Sequence, residues 1–161
     1  VNSQVDERYH IEKSTYAACD YLLDSFEKYD SWAVVAAAFN AGNTGVQRQI
    51  LRQKNASYYD LLFGEETSRY VFRIIALKLI MENPEKYNLF VAEEEKYPII
   101  ETREVEITGK VIDFADFALE HGINYKLLKD FNPWLRDNFL TNSVGKKYTV
   151  KIPVIENPEE I

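Results

Sequence analysis

The sequence predicts a mainly α-helical first part followed by a small α+β module in the order strand, helix, helix, strand. Three observations carry this. Apolar residues recur at helical spacing through most of the chain to about residue 90. The run from Glu93 to Pro98, "EEEKYP", interrupts that pattern with charge and proline, as a solvated linker does. Beyond it, strict alternation appears twice, in "REVEI" (Arg103 to Ile107) and in "KKYTVKIPV", where Tyr148, Val150 and Ile152 share one face.

In chain order, Ser14 or Thr15 is the expected cap of a first helix whose apolar stripe is Ala18, Leu22, Phe26 and Tyr29. Asp30 or Ser31 caps the next, Trp32 to Asn40, whose first eight residues are apolar on every side and so predict burial. Gly42 and Gly45 punctuate a turn, and Val46, Ile50 and Leu51 open a third helix. Ser57 precedes a short element, "YYDLL". A long helix follows from about Glu65 to Glu82, with Tyr70, Ile74, Leu77 and Met81 as its inner stripe and Asn83-Pro84 as its stop. In the module, "IDFADFALEHG" predicts an amphipathic helix closed by Gly122. "NYKLLKDFN" predicts a second, capped by Asn124, with Pro133 beyond it. The expected division is 1–92 for the helical part, 93–101 for the linker, 102–155 for the module and 156–161 for a tail.

The totals exclude several function classes. With 161 residues and 46% hydrophobic content, the chain can bury a real core. A net charge of -7 argues against nucleic acid, whose phosphates call for a basic stripe. One cysteine, Cys19, permits no internal disulfide and reads as a buried small hydrophobe. His10 and His121 stand alone without a second ligand at metal spacing, so both read as surface residues and no metal or cofactor is expected. No run is long enough to cross a membrane, and the opening on Val1 reads as a mature product or an excised piece.

Three segments carry a resemblance. They are "VDERYHIEKSTYAACDYL" (Val5 to Leu22), "WAVVAAAFNAGNTGV" (Trp32 to Val46) and "EETSRYVFRIIAL" (Glu65 to Leu77). Their order and spacing resemble the lytic transglycosylase family, in particular its membrane-bound type D members, over roughly residues 5 to 90. The module resembles LysM, a peptidoglycan-binding domain, through Phe114 to Gly122, Leu127 to Asn132 and Gly145 to Pro153. Its opening departs from the LysM pattern, with Lys110 and Val111 where Asp-Thr is usual.

The resemblance implies a lysozyme-like helical fold, present in part, and cleavage of the β-1,4 bond between N-acetylmuramic acid and N-acetylglucosamine. One glutamic acid protonates the leaving oxygen and the sugar's own 6-hydroxyl closes the ring, giving a 1,6-anhydro product. Such an acid needs an apolar surrounding that keeps it protonated near neutral pH. In the family it lies upstream of "DER", within a Glu-Ser and Gly-Leu-Trp-Gln pattern that this sequence does not contain. The expectation is therefore that no catalytic residue lies in this chain and that the chain alone is inactive. The resemblance further implies peptidoglycan strands as partner, a periplasmic or cell-envelope location, and membrane contact only through an anchor outside the chain.

By the same resemblance, Phe39, Asn40, Ala41 and Gly42 line the glycan cleft, and Glu66 and Tyr70 border it from one helical face. An amide offers sugars both a donor and an acceptor. The plainer alternatives stay open: Asn40 ends a helix beside a glycine, and Tyr70 is an ordinary packed tyrosine. Phe39 replaces the family's usual Tyr and loses a hydroxyl. Asp6, Glu7 and Arg8 are expected to tie the chain start to helices by ion pairs. Trp134 either stacks on a sugar or anchors a loop. A non-catalytic peptidoglycan-binding or scaffolding protein is the alternative function.

Overall fold

The computed structural model of the chain describes residues 1–154; Ile155 and the expected tail, 156–161, lie outside the described residues. The described residues form two units, one of Tyr16–Lys96 and one in which Val1–Thr15 joins the chain from Tyr97 onward.

The helical unit contains most of α1 (Ile11–Tyr29), then α2 (Trp32–Ala41), α3 (Asn43–Gln53) and α4 (Glu65–Glu82). Ser31 and Gly42 bound α2 in extended and left-handed backbone, respectively. The α2 helix is the centre of the unit, because its alanines let both α3 and α4 come close. Val34, Ala37 and Ala38 of α2 close over Val46, Tyr58 and Val71. Side chains of α1 reach the same centre by hydrogen bonds. The Tyr21 hydroxyl donates to Ala38 O at 2.9 Å, and the Tyr29 hydroxyl to Asn43 O at 3.1 Å. Buried Ser25 accepts from Asn43 Nδ2 at 3.1 Å.

Several expectations for this unit are corrected. The α1 helix starts before Ser14, whose hydroxyl instead donates to Ile11 O within the first turn. Gly45 lies inside α3, because Gly42 alone makes the turn. In α2 the two ends are exposed, at Trp32 and Phe39, while the middle is buried. Cys19 is exposed, since the face of α1 that turns inward carries Tyr21 and Ser25. The inner face of α4 is Thr67 and Val71, not the stripe through Ile74, Leu77 and Met81, which are exposed. The helix is apolar on more than one side, and the crossing with α2 selects the side that is covered.

The second unit is a two-stranded antiparallel sheet with two helices. The strands β1 (Thr102–Ile107) and β2 (Tyr148–Pro153) pair with Thr102 opposite Pro153 and Ile107 opposite Tyr148. Tyr148, Val150 and Ile152 are buried on one face, as alternation predicts. The helices are α5 (Phe114–Glu120) and α6 (Tyr125–Phe131). Asp113 caps α5 by accepting from Ala115 N at 2.7 Å, and Asn124 caps α6 by accepting from Leu127 N at 2.9 Å. Gly122 at φ 78 ends α5. Fully buried Asn132 fastens α6 to β2. It accepts from Lys151 N at 2.8 Å and donates to Lys151 O at 2.7 Å.

The chain start is built into this unit. Val5 pairs with Leu135 in an antiparallel bridge, Asp6 N donates to Trp134 O at 2.9 Å, and Arg136 N donates to Gln4 O at 2.8 Å. Trp134 is buried with His10 stacked on it and Tyr148 stacked beside it, both with ring centroids 5.7 Å away. Of its two open readings, the structure therefore selects packing. His10 is largely covered rather than a surface residue, because this stacking places it against the indole.

Candidate functional site

The α2–α4 crossing brings the residues singled out at the C-terminal end of α2 near those singled out on the first turns of α4. Asn40 sits one residue before the end of α2, where the helix must stop. Ala38 O takes both the Gly42 N–H, at 2.8 Å, and the Tyr21 hydroxyl, which fixes the last turn. Gly42 then adopts φ 80 and ψ 144, backbone that only glycine enters readily. Phe39 meets Tyr21 edge to face at 5.9 Å and is otherwise open. Ala41 and Gly42 are exposed.

On α4, Tyr70 is half-buried and Glu66 is exposed, its carboxylate 3.2 Å from Arg73 Nη1. Thr67, buried between them, reaches across the crossing and donates its hydroxyl to Asn40 Oδ1 at 2.8 Å. The sequence reading missed Thr67. The sequence carried no local signal for it, because the side of α4 that is covered, with Thr67 four residues before Val71, is set by the crossing with α2. The arrangement is an exposed surface with one rooted amide.

The chain's early carboxylates have the opposite character to a proton donor. Lys13 holds Glu7 below the usual glutamate range, with Lys146 as a further partner. Lys151 does the same for Glu12. Arg8 holds Asp6 down to about 2 through a pair of hydrogen bonds, and Asp6 caps the turn Glu7–Tyr9. Of the three residues expected to pair with helices, Glu7 does so through Lys13 of α1, while Asp6 and Arg8 pair with each other; Glu7 and Glu12 also pair with the module, through Lys146 and Lys151.

Among the described residues no helix is long and apolar enough to cross a membrane.

Comparison with known proteins finds two families along the chain. The family described as Transglycosylase SLT domain matches residues 1–62, and the Soluble lytic transglycosylase C-terminal LysM-like domain matches residues 103–156. Membrane-bound lytic murein transglycosylase D of Escherichia coli (strain K12) is 26% identical over 150 residues, or 90% of this chain. The protein of the same name from Escherichia coli O6:H1 matches to the same extent. The chain spans 32% of the length of these relatives. The chain is thus similar to lytic transglycosylases in two stretches, a transglycosylase SLT segment at its start and a LysM-like segment after it.

Proposed function

We propose that this chain is part of a peptidoglycan lytic transglycosylase of the bacterial cell envelope, and that the α2–α4 surface holds the glycan strand beside the cleaved bond. The bond is the β-1,4 link between N-acetylmuramic acid and N-acetylglucosamine, and the product carries a 1,6-anhydro end. The observation that carries this reading is Asn40. The family resemblance assigns its segment to the cleft, and the fold roots its amide oxygen on Thr67 at an exposed helix end. Polar groups held by the fold at an open surface are what sugar recognition requires.

The proton donor belongs to a segment other than these residues. A general acid at neutral pH needs its carboxyl raised by burial among apolar groups. Glu7 and Glu12 are lowered by lysines, and Glu66 lies exposed beside Arg73. The LysM-like domain adds glycan affinity without using Trp134, which is buried and stacked with His10 and Tyr148.

The test is to incubate the full-length gene product with purified peptidoglycan and analyse the released muropeptides. Anhydro ends are expected from that product and no turnover from the 161-residue chain. Their absence from the full-length reaction would defeat the enzymatic reading. The exposed Phe39, which lacks the hydroxyl usual at its place, favours a second reading, a non-catalytic peptidoglycan-binding protein. Glycan retention without anhydro products selects it.

A further inference from the structure

Thr67 belongs to neither the predicted site nor the plain apolar core. Its backbone carbonyl and that of Ser68 each lie 2.8 Å from the buried Tyr58 hydroxyl, which shares its one proton between them. That contact fixes the first turn of α4 against the turn Tyr58–Asp60. The Thr67 hydroxyl then points at Asn40 Oδ1, 2.8 Å away across 27 residues of sequence. A threonine hydroxyl carries one proton, and here it is given to the amide oxygen.

The consequence falls on the other end of the amide. With Oδ1 engaged by the fold, Asn40 has its Nδ2 group left, and among the described residues that nitrogen makes no hydrogen bond to the protein. An unrooted amide can rotate and present either a donor or an acceptor. Rooted in this way, it presents a donor.

We propose that Thr67 is a positioning residue that locks the Asn40 amide with its nitrogen outward, so that this end of α2 reads a hydrogen-bond acceptor oxygen on the glycan, such as the carbonyl of an N-acetyl group. The proposal rests on the glycan-contact reading above and adds to it the side of the amide that meets the sugar and the residue that decides this. It also gives a chemical preference. An N-acetyl carbonyl accepts from Nδ2, whereas the ammonium of a de-N-acetylated sugar does not.

The experiment uses the 161-residue chain with two substitutions at the same site. Thr67→Val keeps the shape and removes the donor; Thr67→Ser keeps the donor. Two readouts are taken. The first is the NMR signal of the Asn40 side-chain amide without ligand, including the difference between its two proton shifts and their temperature dependence. The second is affinity for N-acetylglucosamine oligomers and for the same oligomers after de-N-acetylation. Thr67→Val should make the Asn40 amide signals more mobile and weaken binding of the acetylated oligomer about three- to tenfold, on the order of one hydrogen bond. Thr67→Ser should restore both. Unchanged Asn40 amide signals in Thr67→Val overturn the proposal, whatever the glycan does. Binding lost in Asn40→Asp but unchanged in Thr67→Val also overturns it, and leaves the glycan-contact reading standing. If the unsubstituted chain binds no oligomer, the glycan-contact reading fails, and with it the sugar half of this proposal, while the amide signals still decide whether Thr67 locks Asn40.

Discussion

His10 lies flat against Trp134, with ring centroids 5.7 Å apart and planes 20° from parallel, so a residue near the chain start closes the core of a domain more than a hundred residues away. Tyr148 of β2 also stacks with the indole, its ring centroid 5.7 Å away. This three-ring stack, the Val5–Leu135 bridge and the hydrogen bonds of Gln4 and Asp6 make the first residues a component of the LysM-like unit.

Removing the centre of that stack should therefore unfasten the chain start. Trp134 is 3% exposed, and truncating such a residue to alanine costs about 3–5 kcal/mol. Chemical denaturation of Trp134→Ala should show a loss of that size. Amide exchange at Asp6 and Arg136, which hydrogen-bond across the seam, should accelerate with it.

Acid should loosen the same seam in two stages. Burial against the indole holds His10 below its ordinary value of 6.5, with Glu12, Glu7, Lys13 and Lys151 as the charged groups around it. The unfolded segment binds that proton more readily, so the contribution of His10 is full above about pH 6.5 and falls as pH drops toward the folded value. Asp6, at about 2, and the lowered Glu7 and Glu12 contribute fully above their ordinary values of 3.8 and 4.5 and lose that contribution below them. Amide exchange of residues 4–6 across pH should show an onset just below 6.5. In His10→Phe that onset should move to below 4.5.

Asn132 supplies a second seam, between α6 and β2. It is fully buried and satisfies both the N–H and the carbonyl of Lys151. Asn132→Ala strands those groups, at about 1–3 kcal/mol for each one left buried without a partner. Urea denaturation should report the loss, and Lys151 N should gain the fastest new exchange in β2.

Two glycines near the candidate site should respond in opposite directions. No heavy atom stands within 4 Å of a Cβ added at Gly42 or Gly45, so backbone conformation alone decides. Gly42 at φ 80 and ψ 144 occupies glycine-only backbone, and Gly42→Ala should destabilise by about 1–3 kcal/mol. Gly45 lies in the first turn of α3, and Gly45→Ala should stabilise by about 0.5–1 kcal/mol. Thermal melts of the two variants, bracketing the parent, check both signs.

What the sequence disclosed follows the range of the forces involved. Asn124 and Gly122 act on backbone within three residues, so their caps were legible from local chemistry. The alternation of Tyr148, Val150 and Ile152 likewise named its own buried face. The limits of α4 were legible, but its covered face was not, because Thr67 and Val71 are selected by the crossing with α2 and not by apolar content. The same gap hid the Thr67–Asn40 bond, whose partners are 27 residues apart. The docking of Val5 and His10 on residues 134 and 135 has no local signal, and ion pairs toward the helices were the expectation for that segment.

The most direct test of the glycan-contact reading is to add soluble peptidoglycan glycan strands to the 161-residue chain and follow backbone and side-chain amide shifts. The account predicts that the largest changes fall on Phe39, Asn40, Ala41 and Gly42 and on the first turns of α4 at Glu66 and Tyr70. Saturable binding that leaves those six residues unmoved, with changes confined to the LysM-like domain, would contradict it.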